Sequence, residues 1–142
     1  MTRVDFYTEA TDKTAVACRL AAKAMQQALR VLIVAPEANL LKRVDQMLWT
    51  TPPTGFVPHC YVHDAVAAQT PVLLAASADS APHDQVLINL GDEVQNAFTR
   101  FDRLLEIVSH GEDDNARARE RYRFYKDRGN TIQTHKLGAA LT

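Results

Sequence analysis

Side chains that could bind a metal or act in catalysis lie close together at His59, Cys60 and His63. Imidazole and thiolate groups bind zinc or copper, and a histidine near a cysteine can activate the thiol as a nucleophile. A closed zinc site needs a fourth ligand, and no Cys-x-x-Cys pair supplies one. Asp113 and Asp114 could form a carboxylate pair, but acids in the first turn of a helix are explained by the helix dipole. We therefore predict no metal site and no catalytic residue.

Phosphate binding would require a glycine-rich turn that exposes backbone N–H groups. The sequence contains neither G-x-x-x-x-G-K-[ST] nor G-x-G-x-x-G. The turn after the apolar segment 31–35 reads Pro36-Glu37-Ala38, which places a carboxylate where a phosphate would bind. We therefore expect no nucleotide and no other cofactor.

The most strongly charged segment runs from Ala116 to Arg128 and carries six Lys or Arg residues against two acids. Arg119, Tyr122, Arg123 and Lys126 follow the i, i+3, i+4, i+7 spacing that places side chains on one helix face. Arginine offers a planar fork to carboxylate or phosphate, and tyrosine offers an apolar platform. The pattern indicates an anionic ligand with an apolar part, and it leaves open an acidic peptide or a nucleic-acid backbone.

A second unusual segment contains the only tryptophan, Trp49, at a helix end, followed by a proline-rich loop with Phe56. Tryptophan in this position either closes the core or serves as a partly exposed anchor for a partner. The sequence leaves both interpretations open.

The elements that must position these residues alternate between strands and helices. Strands are predicted at 3–8, 31–35, 72–75, 85–90 and 103–108, helices at 12–29, 37–49 and 112–128, and a short helical turn at 94–101. Gly129 is a natural end for the last helix. This order predicts an α/β fold with a mostly parallel sheet and helices on both faces, which makes three layers.

The overall composition predicts one ordered domain over residues 1–142. The chain is 46% hydrophobic and 23% charged, with a formal net charge of -1. This composition argues against a disordered chain and against a protein that generally coats nucleic acid. We expect residues 130–142 to form a flexible C-terminal tail. Only Cys18 and Cys60 are present, and no signal peptide or membrane-spanning run is recognisable, so we expect a cytoplasmic protein with reduced thiols.

Both unusual segments resemble the DNA polymerase III chi subunit family. The family pattern L-W-x-x-P-x-x-F-V-P-H is matched from Leu48 to His59, and A-R-E-R-Y-x-x-Y-x-x-x-G is matched from Ala118 to Gly129. The opening Val4-Asp5-Phe6-Tyr7 and the strand at 30–33 are also similar. The chain departs from the pattern at Pro52-Pro53, where one proline is typical, and at Asn115, where the family often has a basic residue.

The resemblance implies an NTPase-like fold without a phosphate-binding loop, and a non-catalytic role in the clamp-loader assembly. It also implies two partners: the psi subunit, and the acidic C-terminal tail of single-stranded DNA-binding protein, which ends in a Phe carboxylate. DNA would be reached only through that second partner. We expect the psi contact at Phe56, Val57, Pro58 and His59.

For the tail, the expected binding residues are Arg119, Tyr122, Arg123, Trp49 and Val108. Arg119 would pair with the terminal carboxylate, Tyr122, Trp49 and Val108 would enclose the Phe ring, and Arg123 would attract the upstream acids. Two alternatives are a direct single-stranded nucleic-acid binder that uses the basic helix, and a small hydrolase or nuclease. The second would need a metal or nucleophile set that the sequence does not display.

Overall fold

The computed structural model describes residues 1–50, 56–79 and 81–137. The strands are β1 (Arg3–Ala10), β2 (Val31–Val34), β3 (His59–Tyr61), β4 (Val72–Ala75), β5 (Val86–Asn89), β6 (Arg103–Ser109) and β7 (Ile132–Lys136). The helices are α1 (Lys13–Gln26), α2 (Ala38–Leu48) and α3 (Glu112–Asp127), and two short 3₁₀ helices span Ala67–Gln69 and Asn96–Arg100.

All the strands belong to one sheet in the order β3-β4-β2-β5-β6-β1-β7. Every pairing among them is parallel. The predicted α/β class is therefore confirmed, and the described part of the sheet is parallel throughout rather than mostly so. β3 and β7 form the two edges.

Helices cover both faces of the sheet because β2 and β4 are apolar and buried at every position. Alternate residues of β2 point to opposite sides. Ile33 packs into the cluster formed with α1 and α2, whereas Leu32 packs into the cluster formed with α3. The result is the predicted three-layer arrangement, in which α3 is separated from α1 and α2 by the sheet.

Local sequence explains where α1 begins and where α3 ends. The Asp12 carboxylate accepts hydrogen bonds from the backbone N–H of Thr14 at 3.1 Å and of Ala15 at 3.3 Å, which caps α1. Gly129 has a φ of 84°, the left-handed conformation that the sequence predicts for the residue after α3. That turn directs the chain back to the edge of the sheet.

The sequence prediction misses two edge strands. Residues 132–136 form β7, which pairs with β1 in register from Val4↔Ile132 to Thr8↔Lys136, so a flexible tail beginning at residue 130 is wrong for this segment. β7 is rich in polar residues because it is half exposed at the edge, so no apolar pattern marks it. β3 is likewise short and half exposed. Residues 51–55, with the extra proline, and 138–142 lie outside the described residues.

Candidate functional site

A cavity of about 180 Å³ lies between α3 and the strands β6, β1 and β7. We call it the α3 cavity. Its lining is mostly apolar, with one cation at the rim. The lining residues are Phe6, Thr8, Val108, Asn115, Ala118, Arg119, Tyr122 and Thr134.

The pairing of β1 with β7 places the residues on the sheet side of the cavity next to one another. Phe6 of β1 lies opposite Thr134 of β7, so both side chains point towards α3. On the helix, the small side chain of Ala118 leaves space above the floor, and the Tyr122 ring packs against the Phe6 ring with centroids 5.6 Å apart. Val108 closes the remaining side from β6 and is itself buried.

The charge of the cavity comes from Arg119. Its side chain is exposed and makes no hydrogen bond or ion pair with any residue that the structure describes. The exposed Arg123 on the same helix is also unpaired within the described chain, although it does not line the cavity. By contrast, Arg117 pairs with Asp92 at 2.9 Å. Arg119 at the rim and Arg123 elsewhere on the same helix are therefore two cations that an anionic ligand can neutralise.

Of the residues expected to bind an acidic tail, Trp49 is placed elsewhere. It ends α2 on the opposite face of the sheet from α3, and its ring stacks on Phe56 with centroids 4.9 Å apart. The expectation that Trp49 encloses the same hollow as Arg119 and Tyr122 is therefore wrong. Phe6 of β1 contributes the aromatic wall in its place.

Trp49 instead belongs to a second exposed patch, which we call the aromatic surface and define as Trp49, Phe56 and Pro58. Trp49 is 57% exposed and Phe56 is 43% exposed, which is unusual for large apolar side chains. Val57, between them in the loop, is fully buried, and its N–H donates to the Leu48 carbonyl at 2.8 Å. Val57 therefore anchors the loop to the core and offers no contact surface.

His59 holds this loop from beneath. Its side chain is almost fully buried, with Nδ1 2.6 Å from the Val57 carbonyl and Nε2 2.7 Å from the Asp45 carboxylate. The Val57 carbonyl and the Asp45 carboxylate are both hydrogen-bond acceptors, so both ring nitrogens of His59 lie against acceptor oxygens. The ring edge also contacts Trp49, with centroids 5.3 Å apart. His59 thus positions the aromatic surface.

His59 and Cys60, two of the residues considered as metal ligands, do not point the same way. His59 and Cys60 are consecutive in β3 and pack on opposite sides of the sheet. In the described ranges, no group of three or more His, Cys, Asp or Glu residues could hold a metal ion. The same residues include no helix long and apolar enough to cross a membrane.

The carboxyl end of the sheet, where α/β folds commonly bind nucleotides, contains another cavity, of about 640 Å³. Asp12 already occupies the first N–H groups of α1. The Asp114 carboxylate accepts a hydrogen bond from the Ser109 N–H at 2.8 Å and pairs with Lys13. Burial alone would raise the pKa of Asp114, but that hydrogen bond and the Lys13 charge outweigh it and lower the pKa. The protein's own carboxylates thus occupy donors that a phosphate would need.

The sequence prediction includes Val108 of β6 but misses the residues that β1 and β7 contribute to the α3 cavity. Phe6 could have been found, because alternation along β1 places Val4, Phe6 and Thr8 on one face. Thr134 could not, because its strand carries no apolar signal.

Comparison with known proteins identifies the family. Residues 1–133 match the family model of the DNA polymerase III chi subunit, HolC. The chain is 33% identical over 141 residues to the DNA polymerase III subunit chi of Pseudomonas aeruginosa, a match that covers 96% of this chain and 98% of the relative. It is 29% identical over 118 residues to the Escherichia coli protein of the same name, covering 82% and 80% of the two chains.

The fold is more widely shared. Domain 2 of the DEAD-box helicase Mss116p, in a structure bound to an RNA duplex, matches with a TM-score of 0.59 at 11% identity. That match covers 99% of this chain and 66% of the helicase chain, and it indicates a helicase-like α/β architecture. With a family model that spans nearly its whole length and relatives of the same name, the chain belongs to the DNA polymerase III chi subunit family.

Proposed function

We propose that this protein is a non-catalytic accessory subunit that links DNA polymerase III to single-stranded DNA-binding protein in the cytoplasm. In this proposal the α3 cavity binds the acidic C-terminal tail of that protein, and the aromatic surface binds the psi subunit. DNA is reached only through the tail-bearing partner. The observation that carries the proposal is Arg119, an arginine with no counter-ion among the described residues, at the rim of an apolar cavity.

The size of the α3 cavity suits one aromatic ring. A dry cavity of about 150 Å³ accommodates benzene, and the α3 cavity measures about 180 Å³. Phe6, Val108 and Tyr122 would surround the terminal Phe ring of the tail. A Phe ring in this position would leave the chain-terminal carboxylate near the helix, where the Arg119 guanidinium can donate two parallel hydrogen bonds.

Charge explains why the tail should be acidic. Arg119 and Arg123 face solvent without a counter-ion among the described residues. Acidic residues upstream of the terminal Phe would be attracted by these two positive charges, which would speed association. The contribution of Arg123 should decrease as salt is added, because exposed charges are screened within about 10 Å at 0.1 M ionic strength.

Titration calorimetry with an acidic peptide that ends in a Phe carboxylate tests the cavity. Arg119→Ala should weaken binding by about tenfold to a hundredfold, since a charged hydrogen bond contributes about 1.5–3 kcal/mol. Arg117→Ala removes the same charge from the same helix but outside the cavity, and should bind within about twofold of wild type. Amidation of the peptide carboxylate should weaken wild-type binding and have little further effect on Arg119→Ala. Equal losses in both arginine variants would refute the assignment.

Co-purification with the psi subunit tests the aromatic surface. Phe56→Ala and Trp49→Ala each remove a large exposed side chain of the kind that dominates binding energy at interfaces. Both should reduce recovery of the complex. Val66→Ala is a matched control, because Val66 is 59% exposed but lies outside this surface. Full recovery with both aromatic variants would place the psi contact elsewhere.

Direct binding of single-stranded nucleic acid to α3 is the alternative. It would show as strong, steeply salt-dependent anisotropy changes with bare oligonucleotides. The proposal instead expects weak binding until the tail-bearing partner is added.

A further inference from the structure

The outer edge of β7 carries hydrogen-bonding groups that the described sheet does not use. The Thr131 carbonyl accepts from the Val4 N–H at 2.9 Å, and the Leu137 N–H donates to the Thr8 carbonyl at 3.0 Å. Backbone groups of alternate residues point the same way along a strand. Odd-numbered residues therefore face β1, and the N–H and C=O groups of Ile132, Thr134 and Lys136 point away from the described strands.

The same even-numbered residues place their side chains on the α3 side of the sheet. Thr134 lies opposite Phe6 and lines the α3 cavity. The open edge and the cavity are therefore adjacent. Since Thr134 is small, a side chain that approached over it from beyond β7 could enter the cavity.

We propose that the acidic tail binds as an additional parallel or antiparallel strand along β7, with its terminal apolar side chain inserted in the α3 cavity. This inference rests on the proposed function of that cavity and specifies how the peptide backbone is recognised. An exposed strand edge is a template for an extended chain, whose main-chain hydrogen bonds supply affinity while pockets select side chains. The occupant is an extended acidic segment, not a second copy of this chain, because Arg119, which lines the cavity together with Thr134, is a cation with no partner among the described residues.

The distances required are those of an ordinary sheet. A strand added to β7 would lie about 4.8 Å away. Its residue opposite Thr134 would have a Cβ about 5 Å from that of Thr134 on the same face. A phenylalanine side chain at that position would extend over Thr134 towards the cavity. Repulsion between neighbouring acids in the tail also favours the extended conformation that strand addition needs.

Amide hydrogen exchange measured by NMR on the full chain distinguishes this mode from simple insertion of one side chain. In the free protein, the amides of Gln133 and His135 should be protected by β1, and those of Thr134 and Lys136 should exchange rapidly. At saturation with the acidic peptide, exchange at Thr134 and Lys136 should slow by about tenfold or more. If the peptide binds and these two amides keep exchanging as before, strand addition is wrong while the cavity assignment stands. If the peptide does not bind at all, the proposed function itself fails.

A proline substitution tests the same hydrogen bonds through affinity. Lys136→Pro removes one outward N–H and leaves the pairing with β1 intact, because proline is tolerated where the N–H faces outward from an edge strand. Lys136→Ala removes the same charge and keeps the N–H. Lys136→Pro should bind the peptide about threefold to tenfold more weakly than Lys136→Ala, the effect of one lost hydrogen bond. Equal affinities of these two variants would overturn the proposal.

Discussion

Arg121 Nε donates a hydrogen bond to Glu106 Oε1 at 3.0 Å, and both side chains are buried between α3 and β6. Glu106 also accepts from the Tyr125 hydroxyl and from Asn89 Nδ2. Burial, followed by the neighbouring Glu106 charge, raises the pKa of Tyr125, so its hydroxyl remains a donor. Arg121 Nη1 further donates to the Asp92 carbonyl at 2.9 Å. This network fixes the helix that carries the α3 cavity.

We predict that Arg121→Met lowers the free energy of unfolding by about 3–5 kcal/mol, because it leaves the Glu106 carboxylate buried without its cation. Urea denaturation followed by circular dichroism measures this loss. Arg117→Met is the matched control on the same helix, since Arg117 is 57% exposed and its ion pair is at the surface. The control should cost less than about 1 kcal/mol. A loss in Arg121→Met no larger than in the control would contradict the prediction.

The basic helix shows how far spacing alone can predict a site. The spacing of Arg119 and Tyr122 predicts that both lie on one helix face, which needs only the 3.6-residue period, and both line the α3 cavity. The same spacing cannot show that, unlike the exposed Arg117, Arg121 is buried. Its acceptor, Glu106, lies in the middle of an apolar strand, and a carboxylate there signals a buried partner. The identity of that partner depends on which helix crosses β6, and spacing does not supply it.

The misplaced Trp49 has a topological cause. α2 and α3 cover opposite faces of the sheet, and no local pattern specifies the face that each helix takes. The central strands, by contrast, could be predicted because their continuous apolar runs reflect burial on both sides. β7 could not, because its stability comes from pairing with β1.

We predict that Gly129→Ala destabilises the protein by about 1–2 kcal/mol, the cost of the left-handed conformation for a residue with a Cβ. The φ of 84° imposes this cost, although no atom lies within 4 Å of an added Cβ. Asparagine tolerates the conformation better, so Gly129→Asn should lose less. Thermal unfolding of wild type, Gly129→Asn and Gly129→Ala gives their order of stability. Equal stability of Gly129→Ala and wild type would show that the turn can relax.

We predict that Asp45→Ala destabilises the loop of the aromatic surface by about 1–3 kcal/mol, because it leaves the buried His59 Nε2 without its hydrogen-bond partner. Trp49 is the only tryptophan and contacts His59, so its fluorescence should report this change directly. Asp45→Asn keeps an oxygen that can accept the hydrogen bond and should be milder. Identical fluorescence-detected unfolding in both variants would exclude a role for this hydrogen bond.

We predict a histidine-dependent loss of stability in mild acid that arises at His83. Burial, with the nearby Arg30 charge adding to it, lowers the pKa of His83 to about 4, and neither ring nitrogen has a hydrogen-bond partner within the described residues. An unfolded chain has a histidine pKa near 6.5. Between these two values the unfolded state binds a proton that the folded state does not, so stability falls as the pH is lowered through this window.

The size of the effect is up to about 3 kcal/mol, since each pH unit of difference corresponds to about 1.36 kcal/mol. His83→Leu removes the titrating group from its apolar site and should flatten the dependence of unfolding free energy on pH between about 6.5 and 4. His110→Leu removes an imidazole from an exposed position and tests whether losing any histidine has the same effect. Urea denaturation at several pH values measures the unfolding free energy of wild type, His83→Leu and His110→Leu. A slope in His83→Leu as steep as in wild type would mean that another group titrates in this window.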